Sequence, residues 1–203
     1  MKKNKISKNW IIKQKRDIYV KQSKLDGYRS RAAYKLLEIN QKYKIVKNGM
    51  SIVDLGSAPG SWSQYVASKY KNLKLLTIDL KNMEKINNSI HIQGDFTDIE
   101  QQTKIKEYFK SNIDFVMSDM AANTTGNKNV DSLVTGELCL AALNFACEFL
   151  KKEGSFVSKI FMGTTFNEIV ATAKKKFKKV NIYKPPSSRK DSKESFIICQ
   201  NLR

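Results

Sequence analysis

From residue 51 onward, short apolar segments alternate with amphipathic ones, and this alternation restricts the possible folds more than any other feature. The apolar segments have the length and composition of strands. They are Ser51–Leu55, Lys74–Asp79, Ile90–Gln93, Ile113–Ser118, Ser155–Ile160, Lys179–Tyr183 and Ser195–Cys199. The predicted helices between them are Ser61–Lys69, Asp98–Lys110, Leu133–Leu150 and Phe166–Lys178. The pattern predicts an α/β fold, with a mostly parallel sheet and helices on both faces.

Two further features refine this architecture. The segment KPPSSRKDSKE joins the last two predicted strands without a helix, which favours an antiparallel return at the end of the sheet. Before the first strand, SRAAYKLLEIN has the pattern of an amphipathic helix. We therefore expect one domain over residues 30–203, preceded by a basic arm over residues 1–29.

Several classes of protein are disfavoured by what the chain contains. No stretch approaches the length of a membrane span, so we expect no membrane partner. Cys139, Cys147 and Cys199 form no CxxC pair, and His91 has no neighbouring ligands. Free thiols in a reducing compartment are expected, and a metal site is not.

A glycine-rich turn follows the first predicted strand and contains Gly56, Ser57, Pro59 and Gly60. Such a turn lies at the carboxyl end of a parallel strand, where α/β folds bind ligands. Its Gly-x-x-x-Gly spacing differs from the GxGxxG of nicotinamide enzymes, and it has no P-loop lysine. The turn therefore favours a cofactor without phosphate and disfavours an oxidoreductase.

Acidic residues follow the next two strands. Asp79 ends the second strand, where a carboxylate can accept hydrogen bonds from both hydroxyls of a ribose. After the third strand, Asp95 can accept from an exocyclic amine and Phe96 can lie beside the ring. Trp62 and Asp54 flank the glycine turn. Together these positions predict an adenosine site without phosphate, as for S-adenosylmethionine.

Four ionisable residues, Lys35, Asp119, Lys159 and Glu194, lie at or near the ends of apolar segments that an α/β fold brings together. Burial and a neighbouring cation lower the pKa of a lysine and favour its use as a base, whereas carboxylates raise that pKa. The sequence leaves the direction of the net effect open. Ala121, Ala122 and Asn123 stand where amine methyltransferases carry a [DN]PP[YF] segment, which favours an oxygen nucleophile.

The segments VDLGSAPGSW, GDF, SDMAAN, SRAAYKL and KPPSSRKDSKESFII resemble the FtsJ/RrmJ family of ribose 2′-O-methyltransferases of large-subunit ribosomal RNA, over nearly the whole chain. The resemblance implies a Rossmann-like methyltransferase sheet of seven strands with the last antiparallel. It also implies a Lys-Asp-Lys-Glu tetrad at the four positions above, with Lys159 as proton acceptor. It places S-adenosylmethionine against Gly60, Trp62, Asp79, Asp95 and Asp119. Two residues depart from the family pattern: Ala122 replaces a proline and Phe196 a tyrosine.

The charge of the chain points to a polyanion. Lysine and arginine number 37 against 19 acidic residues, giving a net charge of +18. We predict a phosphate-binding rim formed by two groups of cations that flank the site. These are the arm cations Lys2, Lys3, Lys5, Lys8, Lys13, Lys15, Arg16, Lys21 and Lys24, continued by Arg29 and Arg31, and the later cations Lys174–Lys176, Lys178, Lys179, Lys184, Arg189, Lys190 and Lys193.

The expected function is therefore methyl transfer from S-adenosylmethionine, with S-adenosylhomocysteine as product, to a uridine 2′-hydroxyl in large-subunit ribosomal RNA. The expected substrate is the assembled or assembling subunit. A relative acting on transfer RNA or an mRNA cap is one alternative, and a non-catalytic RNA-binding module is another. We expect a monomer acting in the cytoplasm, with an organelle left open.

Overall fold

The computed structural model describes residue 14, residues 16–121 and residues 128–203. Over that part of the chain it has six helices and seven strands. The helices are α1 (Ile18–Leu25), α2 (Ala32–Tyr43), α3 (Ser61–Lys69), α4 (Ile99–Phe109), α5 (Lys128–Phe149) and α6 (Phe166–Lys176). The strands are β1 (Ser51–Leu55), β2 (Lys74–Asp79), β3 (Ser89–Gln93), β4 (Ile113–Ser118), β5 (Leu150–Phe161), β6 (Phe177–Tyr183) and β7 (Glu194–Leu202).

The strands form one sheet in the order β3-β2-β1-β4-β5-β7-β6. All pairs are parallel except those of β7, which runs antiparallel to both β5 and β6. The seven-stranded Rossmann-like sheet with an antiparallel last strand is thus confirmed. Because β7 is reversed, its first residue lies at the edge where the parallel strands end, and Glu194 pairs with Phe161.

The strand bounds differ from the prediction mainly in β5 and β7. Predicted over Ser155–Ile160, β5 begins at Leu150 and ends at Phe161, while β7 continues to Leu202 instead of Cys199. Antiparallel pairing between β5 and β7 accounts for part of the extra length. It includes Phe161, Glu194 and Gln200, each of which lies one residue beyond the predicted bounds. Backbone hydrogen bonding, rather than side-chain hydropathy, sets these ends.

Alternate residues of each strand supply two separate cores, as the period of two in a strand requires. In β4, Phe115 and Met117 pack on the face covered by α2 and α3. Val116 points to the other face, which α4, α5 and α6 cover. Phe115, Phe156 and Phe196 are among the largest fully buried side chains. The sheet is therefore held rigid from both sides, which fixes the positions of the residues at its edge.

Helix α5 corrects one expectation from the sequence. By length and composition, Val130–Phe149 could cross a membrane, although no stretch was expected to come near that length. Here Leu143, Ala146 and Phe149 are buried in the core against the sheet. The core helix of a folded domain passes the same composition test.

The first part of the chain contains a helix that the sequence did not reveal. Helix α1 begins after Asp17, whose carboxylate accepts from the backbone N–H of Tyr19 at 3.1 Å. Its apolar residues Ile18 and Leu25 are 70% and 80% exposed, so no periodic apolar face announced it. The Tyr34 hydroxyl donates to Asp26 at 2.6 Å and holds the end of this segment against α2. The arm cations from Lys2 to Lys13, and Lys15, lie outside the described residues.

Candidate active site

The turn between β1 and α3 is shaped by two glycines with positive φ, Gly56 at 64° and Gly60 at 97°. A Cβ on Gly56 would lie 1.9 Å from Cγ of Met120, and one on Gly60 would lie 2.7 Å from Cδ1 of Ile86. The backbone N–H of Gly56 donates to the Ile78 carbonyl at 2.8 Å. Only glycine fits both positions, because the turn is packed closely against its neighbours.

A cavity of about 490 Å³ opens beside this turn at the carboxyl edge of the strands. Among the predicted cofactor residues, those that line it are Gly56, Asp79, Asp95, Phe96 and Asp119. Its volume is in the range of small-molecule sites, and it lies where parallel sheets bind ligands. The structure therefore brings five predicted residues, from four different strand ends, to one cavity.

The carboxylates of this cavity are held in place by backbone groups. Asp79 accepts from the N–H of Ala58 at 2.9 Å through Oδ2 and from the N–H of Lys81 at 2.8 Å through Oδ1. Asp95 Oδ1 accepts from the backbone and hydroxyl of Thr97, at 2.9 and 2.8 Å. Each carboxylate has lone pairs beyond these bonds, so each is an oriented acceptor for ligand hydroxyl or amino groups.

The other predicted cofactor residues lie beside this cavity rather than along it. Ser57, Pro59 and Trp62 line a small adjoining space of about 40 Å³, which also touches Gly56 and Asp119. Trp62 is 2% exposed, its indole N–H donates to the Ala32 carbonyl at 2.9 Å, and its ring lies 5.6 Å from Phe196. Gly60 precedes α3 and lines neither space. Ser57, Pro59 and Gly60 belong to the turn itself, and Trp62 lies in the first turn of α3 behind it.

Asp54 is a buried carboxylate under the same turn. Burial raises the pKa of Asp54 from 3.8 to about 7, although a hydrogen bond from the Ser63 hydroxyl at 2.6 Å opposes the rise. An acid whose folded pKa is raised stabilises the fold fully below its unfolded pKa. That stability is lost as the pH rises through the folded value.

We therefore expect Asp54→Asn to gain stability over the parent protein between about pH 4 and pH 7. The difference in their unfolding free energies should change by about 1.4 kcal/mol for each pH unit in that window, then level off. Urea unfolding of both proteins at pH 4, 6 and 8 measures it. A difference that stays constant with pH would show that Asp54 ionises normally in the folded protein.

The four predicted catalytic residues meet at the edge of the sheet. Lys159 Nζ lies 2.9 Å from Asp119 Oδ1 and donates to the Asp119 carbonyl at 2.8 Å. Lys35 Nζ donates to Glu194 Oε2 at 3.0 Å and lies 3.5 Å from Asp119 Oδ1. The remaining pair, Lys159 and Glu194, is 4.0 Å apart. Two lysine side chains and two acidic side chains thus alternate around one small cluster.

Burial and neighbouring charges shift the pKa values of Lys35 and Asp119 in opposite directions. Burial lowers the pKa of Lys35, but Asp119 and Glu194 outweigh burial, so the net pKa is raised. Burial alone would raise the pKa of Asp119, but Lys159 and Lys35 lower it below the ordinary value. Lys35 also lies 5.6 Å above the ring of Phe196, the residue that replaces the family's tyrosine. The neighbouring charges therefore favour the charged forms of both Lys35 and Asp119.

The cluster separates the first cavity from a second one. Asp119 lines the 490 Å³ cavity, whereas Lys35 and Glu194 line a cavity of about 350 Å³ together with Arg31 and Arg189. The three cations of this space outnumber its two acidic residues, Asp191 and Glu194, and can bind a phosphodiester beside the cluster. The arrangement can accept a small cofactor on one side and a nucleic acid on the other.

The predicted basic rim is only partly supported. Arg31 and Arg189 line the second cavity, although Asp17 accepts from both and the Ser187 carbonyl also accepts from Arg31. Lys178 and Lys179 do not flank the site, because β6 starts opposite Leu202, at the far end of β7 from Glu194. Sequence proximity to the last strand suggested otherwise, but an antiparallel pair spreads its residues along the full height of the sheet.

Sequence reasoning missed the groups that hold Glu194 and Arg31. The Ser188 hydroxyl donates to Glu194 Oε1 at 2.9 Å. Asp17 accepts from Arg31 and lies 3.3 Å from Nε of Arg189. Ser188 is 5% exposed, although it belongs to a polar segment that reads as an exposed loop. Only the buried position of that segment, which the sequence does not signal, would have indicated these roles.

Three further expectations concern metal ligands, the cysteines and the segment that follows β4. Over residues 14, 16–121 and 128–203, no group of three or more His, Cys, Asp and Glu side chains could hold a metal ion. The three cysteines are free, and burial raises the pKa of Cys139 to about 12. Ala122 and Asn123 lie outside the described residues, while Ala121 lines the 490 Å³ cavity.

Proteins with similar sequences are methyltransferases by family and by name. The model of the FtsJ-like methyltransferase family matches residues 28–202. The chain is 64% identical over its whole length to the ribosomal RNA large subunit methyltransferase E of Pelagibacter ubique, and covers all of that protein. It is 42% identical to the protein of the same name from Brucella ovis, over 97% of this chain and 84% of that one.

Solved structures show the same fold. A crystal structure from Plasmodium falciparum, assigned as a ribosomal RNA methyltransferase, has a TM-score of 0.77 and 34% identity. That match covers 86% of this chain and 98% of the other. A Streptococcus mutans protein solved in complex with SAH has a TM-score of 0.54 at 13% identity, over 85% of this chain and 96% of that one, which is a likeness of fold alone.

Proposed function

Because the chain belongs to the FtsJ-like methyltransferase family, we propose that it methylates the ribose 2′-hydroxyl of a uridine in large-subunit ribosomal RNA. Membership makes it an S-adenosylmethionine-dependent RNA methyltransferase; the uridine and its oxygen are the proposal. The observation that carries the proposal is the cluster of Lys35, Asp119, Lys159 and Glu194 between two cavities.

The first cavity fits S-adenosylmethionine, which supplies an electrophilic methyl group when bound. Asp79 would accept from the ribose hydroxyls, Asp95 from the exocyclic amine, and Phe96 would line the space for the base. These carboxylates are fixed by backbone N–H groups before any ligand arrives. Such preorganisation lowers the entropic cost of binding.

The two lysines of the cluster have different roles. Asp119 and Glu194 raise the pKa of Lys35 and favour its charged form, so we assign to it the role of a positive charge beside the reacting groups. Lys159 is the remaining amine, and we assign to its Nζ the proton of the ribose 2′-hydroxyl. Glu194, oriented by Ser188, and Asp119, oriented toward Lys159, aim the amines and the sugar.

The second cavity is assigned to the nucleotide. Arg31 and Arg189 line it at the side of Lys35 and Glu194, where the phosphates that flank the target ribose would lie. Contacts of this kind position a strand without reading its sequence. Because the chain offers no separate RNA-binding domain among its described residues, we infer that the folded large subunit supplies selectivity.

The target and the setting are proposed from the relatives. Proteins 64% and 42% identical to this chain are named ribosomal RNA large subunit methyltransferase E, and both are bacterial. We accordingly place the reaction in the cytoplasm, on the assembled or assembling subunit, with the protein acting as a monomer.

Labelled methyl transfer to large subunits, free ribosomal RNA and transfer RNA tests the proposal. We expect incorporation into large subunits to exceed that into transfer RNA by at least about 10-fold, since the target is presented by the particle. The product should resist alkaline hydrolysis at one position, because the blocked 2′-oxygen can no longer attack the adjacent phosphate. Label in a base, or preference for transfer RNA or a cap, would replace the ribosomal assignment, and absence of transfer to any RNA would favour a binding module.

A further inference from the structure

Arg29 was predicted from the sequence to belong to the RNA-binding rim, but the structure directs its guanidinium inward. Nη1 donates to the carbonyls of Pro59 and Glu84 at 2.8 and 2.9 Å. Nη2 donates to the Lys85 carbonyl at 3.0 Å. Its side chain is only 19% exposed. Three backbone carbonyls therefore take three of the five N–H donors of this guanidinium, including both of those on Nη1.

The three acceptors belong to two segments that border the cofactor cavity. Pro59 is part of the glycine turn, and Glu84 and Lys85 lie in the segment after Asp79, between β2 and β3. The backbone N–H of Arg29 also donates to the side chain of Gln64 on α3 at 2.9 Å. Arg29 thus connects the turn, the helix that follows it and the segment after Asp79 through a single residue.

The glycine turn leaves space for this contact. A Cβ on Gly60 would lie 2.8 Å from Nη1 of Arg29 and 3.1 Å from Sδ of Met83. Arg29 also lines a cavity of about 540 Å³ with Ala58 and Lys81, two residues that line the cofactor cavity as well. Its ion pair with Glu84 adds little, since the atoms are 3.9 Å apart and the Glu84 side chain is 92% exposed.

We propose that Arg29 is a positioning residue for the cofactor site and not an RNA ligand. It fixes the glycine turn against the segment after Asp79, residues 80–88. The inference rests on the proposed use of the 490 Å³ cavity for S-adenosylmethionine. Fixing both segments keeps Asp79 and the turn at the spacing that the cofactor requires. Cofactor affinity then depends on the planar fork of Arg29, which a lysine of equal charge cannot reproduce.

The test compares Arg29→Lys with Arg189→Lys, the same substitution at an arginine whose Nε lies 3.3 Å from Asp17 rather than near the cofactor segments. Calorimetric titration with S-adenosylhomocysteine in the absence of RNA should show a Kd raised at least about 10-fold for Arg29→Lys and unchanged within about twofold for Arg189→Lys. At saturating S-adenosylmethionine, kcat of Arg29→Lys should stay within about twofold of the parent while the cofactor KM rises. Amide hydrogen exchange over residues 80–88 should accelerate only in this variant.

An unchanged Kd for Arg29→Lys, or an equal loss in both variants, would overturn the proposal. So would a variant that binds S-adenosylhomocysteine normally but has lost affinity for RNA. If Arg29→Lys does not fold, Arg29→Gln, which keeps donors to one segment, is measured in its place against the same outcomes. A parent protein that does not bind S-adenosylhomocysteine would instead contradict the proposed function, so the two failures are distinguishable.

Discussion

Lys159→Ala is expected to reduce methyl transfer by at least about 10³-fold while the affinity for S-adenosylhomocysteine stays within about threefold of the parent. The amine that takes the proton is lost, whereas the cofactor cavity is unchanged because Lys159 does not line it. Asp119 keeps a cationic neighbour in Lys35, 3.5 Å away, so the carboxylates are not left without a counter-charge. Single-turnover transfer of labelled methyl and calorimetric titration measure the two effects.

A second substitution separates proton transfer from charge. Lys159→Arg keeps a cation beside Asp119, but a guanidinium does not lose its proton in a protein. We expect it to be as inactive as the alanine variant. Substantial activity in Lys159→Arg would remove the base role and leave electrostatic positioning. Lys104→Ala is the matched control, since Lys104 is an exposed lysine of α4 that pairs with Glu100, and its activity should equal that of the parent.

Asp79→Ala is expected to weaken cofactor binding by about 100-fold or more. The substitution leaves the N–H groups of Ala58 and Lys81 without their acceptor and loosens the turn. It also removes the oxygens assigned to the ribose hydroxyls. Asp79→Asn keeps one acceptor oxygen, so we expect its Kd for the cofactor to rise only about 10-fold. Titration with S-adenosylhomocysteine gives both values.

Asp114→Ala controls for the general loss of a carboxylate that accepts from the backbone. Asp114 accepts from the N–H of Ser51 at 2.8 Å, at the end of the sheet opposite the site. Its removal should lower the unfolding free energy but leave the Kd for cofactor unchanged. If Asp114→Ala weakened binding as much as Asp79→Ala, the role of Asp79 in the cofactor site would be refuted.

The centre of the sheet could be predicted because β1, β2 and β4 are largely buried and read as nearly continuous apolar runs. Three strands, β1, β2 and β4, have the predicted bounds, and the missing crossover before β7 correctly indicated its direction. The convergence of Lys35, Asp119, Lys159 and Glu194 followed from that topology together with the family resemblance. Residues at the ends of parallel strands, and at the start of an antiparallel one, must share an edge.

What the sequence could not predict depends on tertiary contacts between polar groups. The sequence placed Trp62 beside the glycine turn, but it did not indicate that the ring packs on Phe196 and that the indole N–H donates to the Ala32 carbonyl. Arg29 resembled an RNA contact because it continues a run of cations, yet three of its donors are bound by backbone carbonyls beside the cofactor cavity. Neither hydropathy nor charge reports where a donor finds its acceptor, so these assignments needed the three-dimensional structure.

The position of β7 between β5 and β6 also has a consequence for biosynthesis. Strands β5 and β6 are synthesised before β7, so β7 must insert between two strands that have already left the ribosome. Glu194, supplied by that strand, is 159 residues away from its partner Lys35 along the chain. Such distant contacts form late and slowly. A nascent chain therefore lacks the complete cluster of four residues until residues 194–202 have emerged.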